Sequence, residues 1–313
     1  MQAVIVAGGK GTRLRPLTYA RPKPMIPLFE RPFLAWMVER CRAVGVHDII
    51  INLHYQAEQI EQYFQDGSAL GVRIRYSRES TPLDTAGAVK LAEPLFSGEP
   101  LIVFNADILT DLDLGALIDT HQQSGARATL ALARVADPTA FGLVELSNGN
   151  RVVAFREKPT AEEAARLGID TINAGTYILD RQIFAPVPAE TPWSFERQLF
   201  PGLLAAGEKV QGFVWEGYWL DLGRPTSYWQ AHLDILRRAM PFTLDAHERE
   251  AGVWIGSGAD VHPEAQLEAP CYVGPSCAVG AGAVLPAGTV VCATSLINRP
   301  LTPGIYPPGT LLP

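Results

Sequence analysis

The chain has 313 residues, 47% of them hydrophobic and 19% charged, with a formal net charge of -7. That length suits one large domain with a smaller one, or two comparable ones. The acidic balance argues against nucleic acid as a partner, and no apolar run reaches the ~20 residues that span a bilayer, so no membrane partner is expected. The first seven residues lack the n-region and cleavage pattern of a signal peptide. Cys41, Cys271, Cys277 and Cys292 show no CxxC pairing for a zinc site or a disulfide framework, so a cytoplasmic protein is expected.

A short apolar run over residues 3–7 has the length of one buried strand. It breaks into Gly8-Gly9-Lys10-Gly11-Thr12-Arg13, and further cations follow at Arg15, Arg21 and Lys23. The first 29 residues thus hold five basic side chains and no acidic one. A glycine-rich turn after a strand lets backbone N–H groups approach an anion, and clustered cations favour that approach. The stretch is expected to hold a polyphosphate. Up to about residue 125, predicted strands at 48–53, 72–76 and 101–105 alternate with helical stretches at 32–44, 57–64, 85–95 and 114–124. This is an α/β pattern, a doubly wound, mostly parallel sheet. Ligands of such sheets sit beyond the carboxyl ends of the strands, where the glycine turn and Asn105-Ala106-Asp107 both fall. From 127 to 222 strands dominate (128–135, 142–146, 152–155, 172–179, 210–215), with helices at 194–206 and 225–238. This half reads as a mixed extension of the sheet, forming the second wall of a cleft.

Beyond it, Ile255, Val261, Leu267, Val273, Val279, Leu285 and Val291 recur every six residues. Small or β-branched residues stand two positions before each, Cys271 and Cys277 among them. This hexapeptide pattern predicts a short left-handed parallel β-helix, with one apolar residue per strand pointing inward. Packing, and not metal binding, then accounts for both cysteines. The tail after Ile297 has five prolines in its last 14 residues and no period of six. It either packs as an extended strap or stays mobile. The expected division is therefore 1–240, 251–296 for the solenoid, and 297–313 for the tail.

The glycine turn fits neither familiar nucleotide motif. No GxxxxGK[ST] spacing exists, and Leu14 stands where a dinucleotide fingerprint needs its third glycine. Glu30 lies where a ribose-binding acid would, but Pro16, Pro22 and Pro24 interrupt the helix that motif requires.

The stretch from Ala7 to Thr18, followed by Arg21-Pro22-Lys23-Pro24, resembles the signature of the sugar-1-phosphate nucleotidyltransferases, or NDP-sugar pyrophosphorylases. Further blocks agree in order: Pro82 to Ala88, Asn105 to Asp107, Phe141-Gly142, Phe155 to Pro159, Ile172 to Gly175 and Trp219 to Gly223. Together they cover residues 1 to about 240. The hexapeptide segment resembles the C-terminal module of the mannose-1-phosphate guanylyltransferase branch. The resemblance implies a Rossmann-like nucleotidyltransferase fold and the joining of a nucleoside triphosphate to a sugar 1-phosphate, with release of pyrophosphate. Two polyanions must meet, so charge neutralisation and positioning matter more than acid–base chemistry.

By the same resemblance, Ala7, Gly8, Gly9, Gly11 and Thr12 would cradle the triphosphate. Arg13 would neutralise the departing pyrophosphate, and Lys23 would hold the α-phosphate region. Asp107 and Asp221 would bind Mg²⁺, which favours one or two carboxylates plus phosphate oxygens. Gly142, Glu157, Lys158 and Asn173 would form the sugar-phosphate pocket, with Trp219 packing beside Asp221. Glu79, Asp84, Thr85 and Ala86 would face the base. Pyrimidine-using relatives carry glutamine at the position of Glu79. A carboxylate only accepts hydrogen bonds, which suits guanine's N1–H and exocyclic amine and tilts the choice to GTP. Asp84 replaces the family's glycine, and either accepts a bond from guanine or displaces the loop.

The leading expectation is a mannose-1-phosphate guanylyltransferase. The alternatives are a glucose-1-phosphate uridylyl- or thymidylyltransferase and a non-catalytic NDP-sugar-binding homologue. An acyltransferase reading of the solenoid is disfavoured, because the repeat has only His262 and no lysine follows Lys209. The open end of the coil leaves backbone edges that a second subunit would cover, so a homodimer or higher homo-oligomer is expected.

Overall fold

The computed structural model describes residues 1–157 and 159–313, with the side chain of Glu157 left out. The chain forms two compact units. One comprises Met1–Met25, Leu34–Ile108 and Leu112–Trp219, the other Ile26–Phe33, Leu109–Asp111 and Leu220–Pro313. The second unit thus draws on short segments far upstream of the hexapeptide repeat. Among the described residues no helix is long and apolar enough to cross a membrane.

Among the described residues, nine strands form the sheet of the first unit. They are β1 (Gln2–Val6), β2 (Asp48–Leu53), β3 (Arg73–Arg78), β4 (Leu101–Asn105), β5 (Ala128–Arg134), β6 (Gly142–Leu146), β7 (Val152–Glu157), β8 (Thr171–Leu179) and β9 (Val210–Trp215). The order is β7-β6-β8-β4-β1-β2-β3, with β5 on β8 and β9 on β5. Strands β1 to β4 run parallel, as the near-continuous apolar runs of β1, β2 and β4 predict, while β3 at the sheet edge is alternating and partly exposed. Strand β8 is antiparallel to β4, β5 and β6, which makes the sheet mixed. Helices α1 (Phe33–Ala43), α2 (Ala57–Phe64) and α3 (Asp84–Leu91) supply the crossovers between the parallel strands. The apolar faces of β1, β4, β5 and β8 and the ring stack of Tyr177, Phe195 and Phe200 make one buried core.

Two helices differ from the sequence reading. The stretch 85–95 is α3 followed by a separate 3-10 turn at Glu93–Leu95. The stretch 194–206 opens as a π turn, Phe195–Leu199, before the helix Phe200–Ala205. Ser194 caps the turn, its Oγ accepting from Arg197 N–H at 3.3 Å.

In the second unit the hexapeptide repeat is a parallel β-helix with three faces. Val253 pairs with Cys271 and Cys271 with Thr289, steps of 18 residues. Ile255, Val273, Val279, Leu285, Val291, Cys271 and Cys277 are all buried in its core, and all four cysteines are free thiols. The tail continues the solenoid. Gly304–Tyr306 pairs with Thr289–Val291, and Leu311–Leu312 pairs with Leu296–Ile297, both parallel. Thr289 to Gly304 is a step of 15, so this coil is three residues shorter. A search at period six loses the phase there and reads the continuing solenoid as patternless.

Helix α4 (Pro225–Leu236) lies within the same unit. Its His232 accepts from Phe29 N–H through Nε2 at 3.2 Å and bonds the Tyr228 carbonyl through Nδ1 at 2.9 Å. Complete burial lowers this imidazole to a pKa of about 4. Glu30, beside Phe29, accepts from Tyr272 O–H at 3.2 Å and from Ala293 N–H at 3.1 Å. It is therefore a fastener of the solenoid, and a ribose-binding role has no support.

Candidate functional site

The parallel register aligns Val6 with Asn52 on one side and with Asn105 on the other. The chain leaves β1 and β4 at the same level, and Ala106 N–H donates to Val6 O at 3.2 Å. Beyond these strand ends lies a cavity of about 210 Å³, lined by Val6, Ala7, Gly9, Lys23, Pro24, Thr85, Asn105, Ala106 and Asp107. Five residues expected from the sequence therefore share one wall: Ala7, Gly9, Lys23, Thr85 and Asp107.

The glycines shape this wall. Gly11 has φ +59, and a Cβ there would meet Lys23 Cβ at 2.9 Å. Only glycine permits both the left-handed backbone and the close return of the chain. Thr18 Oγ1 donates to Gly11 O at 2.8 Å and closes the loop. Lys23, in the 3-10 turn Lys23–Met25, reaches Asp107 with Nζ–Oδ2 at 2.5 Å. Its side chain is only 12% exposed, so the cation is held against the cavity and is not solvated on a basic face.

Gly8 abuts Glu79, where a Cβ would stand 2.7 Å from the carboxylate Oε1. Glu79 is buried at the end of β3 and accepts Leu83 N–H with Oε2 at 2.8 Å. Desolvation raises its pKa above the ordinary 4.5, the Leu83 bond and His54 oppose this, and Asp84 adds to it. Asp84 opens α3 with φ +59, the backbone region that a glycine occupies without cost. The aspartate thus takes up the backbone conformation that suits a glycine. Its Oδ1 accepts Thr85 N–H at 2.8 Å, and Arg197 pairs with Oδ2. Ala86 is buried and donates its N–H to Trp193 O at 2.8 Å.

The remaining expected residues lie elsewhere. Thr12 and Arg13 are exposed on a 3-10 turn and do not line the cavity. Gly142 begins β6 and pairs in register with Glu157 on β7. Asn173, on β8, donates to Tyr177 Oη at 2.8 Å and Glu196 Oε1 at 3.0 Å, and accepts Gly175 N–H at 3.1 Å. Both its donors are engaged, which leaves acceptor capacity for a ligand. Trp219 packs on Phe141 with ring centres 5.2 Å apart and donates to Ala174 O at 3.1 Å. Asp221 belongs to the second unit and accepts Gly223 N–H. Lys158 lies outside the described residues.

Sequence reasoning placed Asn105 at the ligand end of its strand but gave it no role of its own. Its Oδ1 is buried on the cavity wall without a hydrogen-bond partner. The signal was an asparagine two positions before Asp107, at a strand end. Arg197 was missed, and nothing in its neighbourhood of the sequence distinguishes it. Among the described residues no three His, Cys, Asp or Glu side chains gather as a metal cluster.

The nucleotidyl transferase family model matches residues 2–238. A mannose-1-phosphate guanylyltransferase of Mycobacterium tuberculosis is 39% identical over 306 residues, 96% of this chain and 83% of that protein. A UTP–glucose-1-phosphate uridylyltransferase of Synechocystis is 31% identical over 91% of this chain and 81% of its own. Among solved structures, HddC from Yersinia pseudotuberculosis complexed with GMP-PN superposes with a TM-score of 0.63. It is 29% identical over 75% of this chain and 99% of its own.

Proposed function

Because the chain belongs to the nucleotidyl transferase family, we propose that it transfers a nucleotidyl group from GTP to mannose 1-phosphate, giving GDP-mannose and pyrophosphate. The observation that carries this reading is the convergence of Ala7, Gly9, Lys23 and Asp107 on one cavity beyond the ends of β1 and β4.

The glycine turn offers backbone N–H groups to the triphosphate, and Arg13 meets the departing pyrophosphate. Lys23 neutralises charge that develops at the α-phosphorus as a sugar-phosphate oxygen attacks in line. Its ion pair with Asp107 keeps Nζ beside the cavity. Asp107 and Asp221 would hold Mg²⁺; when bound, the ion neutralises phosphate charge and orients the reacting groups. The chemistry of the wall fits such an ion, because the Asp107 carboxylate and the unpartnered Asn105 carbonyl oxygen are hard oxygen donors. Gly142, Glu157, Lys158 and Asn173 would receive the sugar phosphate.

Base choice is assigned to Glu79. Its carboxylate lies against Gly8 and can accept from guanine N1–H and the exocyclic amine. A second reading, uridylyl transfer to glucose 1-phosphate, draws on the Synechocystis relative. A grid of four nucleoside triphosphates against several sugar 1-phosphates, read by pyrophosphate release, decides between them. Turnover with UTP and not GTP overturns the first reading. The proposed setting is a cytoplasmic homodimer or higher homo-oligomer, which light scattering at working concentration tests.

A further inference from the structure

Asp84 and Glu79 place two carboxylates on the one loop that borders the cavity through Thr85. A polyanionic nucleotide would meet both. Among the described residues, only Asp84 of the two has a cation on it: Arg197 pairs with it across 113 residues of sequence.

The segment that carries Arg197 also grips the loop by its backbone. Trp193 O accepts from Ala86 N–H at 2.8 Å and Gly87 N–H at 3.0 Å, and Trp193 N–H donates to Leu83 O at 2.9 Å. Phe195 N–H donates to Thr85 Oγ1 at 2.9 Å. A Cβ on Gly87 would stand 2.5 Å from Thr191 O, so the two segments are in close contact along this edge. The guanidinium is thereby delivered to Asp84 by a framework that does not depend on the ion pair. The pair itself is open to water, with side chains 63% and 28% exposed, so it adds little to stability. Its position suggests another use.

We propose that Arg197 is a positioning residue for the nucleotide: it neutralises Asp84 and holds that carboxylate against its own segment, so that the Leu83–Ala86 loop accepts an anionic ligand despite carrying an acid. The inference rests on the nucleotide-binding reading of the cavity and adds a residue to it.

The test is a double-mutant cycle read by calorimetric titration of GTP, without sugar phosphate, on the full chain. Replacing arginine by methionine leaves Asp84 charged and unpaired. Arg197→Met is expected to raise the GTP dissociation constant about tenfold at low ionic strength, with the loss shrinking in salt. The same change in an Asp84→Asn background should cost no more than about twofold, since no charge remains to be neutralised. Arg197→Lys should recover most of the affinity, and the thermal midpoint should move by no more than about 2 °C. Equal losses in both backgrounds, or no loss beside Asp84, overturn the inference while leaving the nucleotide reading intact. A wild type that binds none of GTP, UTP, dTTP or ATP overturns both.

Discussion

The first unit and the solenoid of the second each set a glutamate against a glycine, Glu79 buried and Glu30 half-buried, and they use it differently. Glu30 spends both oxygens inside the protein, on Tyr272 O–H and Ala293 N–H, in space that a Cβ on Gly274 would invade. Glu79 accepts Leu83 N–H with one oxygen and lays the other against Gly8. The contrast extends to the neighbours. His232 in the second unit has both ring nitrogens engaged. Among the described residues, the buried side-chain atoms without a partner are Asn52 Oδ1, Arg75 Nε and Asn105 Oδ1, all in the first unit. Buried polar groups are ordinarily satisfied, and of these three only Asn105 lies on the cavity wall, where its free oxygen is available to a ligand.

That contrast can be broken most forcefully at Asp107. Asp107→Ala removes the partner of Lys23 and a proposed metal ligand, and should lower pyrophosphate release by roughly a thousandfold with the fold retained. Circular dichroism alongside turnover checks this; activity within tenfold of wild type would end the assignment. In the scaffold the readout should be stability. His232 is held neutral, with a folded pKa of about 4 against an ordinary 6.5. The unfolded chain therefore binds the extra proton first, and the contribution present above pH 6.5 is lost as pH falls toward about 4. That difference corresponds to roughly 3 kcal/mol, visible as a falling thermal midpoint that His232→Asn should flatten.

Glu30→Ala comes next. It strands Tyr272 O–H and Ala293 N–H and should cost about 2 kcal/mol in denaturant unfolding, with the KM for GTP kept within about twofold. A large KM change with unaltered stability would reverse the distinction between the two regions. The smallest effect is expected at Gly8. Its replacement by alanine sets a methyl 2.7 Å from Glu79 Oε1 and should raise the KM for GTP about tenfold, with kcat less affected.

Much of this was legible beforehand, for physical reasons that differ by region. Strands β1, β2 and β4 announce themselves because a strand buried on both faces must be apolar throughout. The hexapeptide register was readable because each strand contributes an inward residue at a fixed interval, until the step from Thr289 to Gly304 shortened to 15. The π turn at Phe195–Leu199 left no trace, since its periodicity differs from that of an α-helix over only five residues. The partners of Asp84 and Glu30 were equally hidden. Arg197 lies 113 positions away, and Ala293 contributes only its backbone, which no side-chain pattern reports.

The left-handed backbone at Asp84 has a genetic consequence. At φ +59 the residues tolerated most readily are glycine, asparagine and aspartate. Either aspartate codon is one base change from an asparagine codon and one from a glycine codon. The charge beside the cavity can therefore be kept, neutralised or deleted in a single mutational step, with the path of the loop unchanged. On the role proposed for Arg197, a neutral residue at position 84 would leave that arginine free to change afterwards.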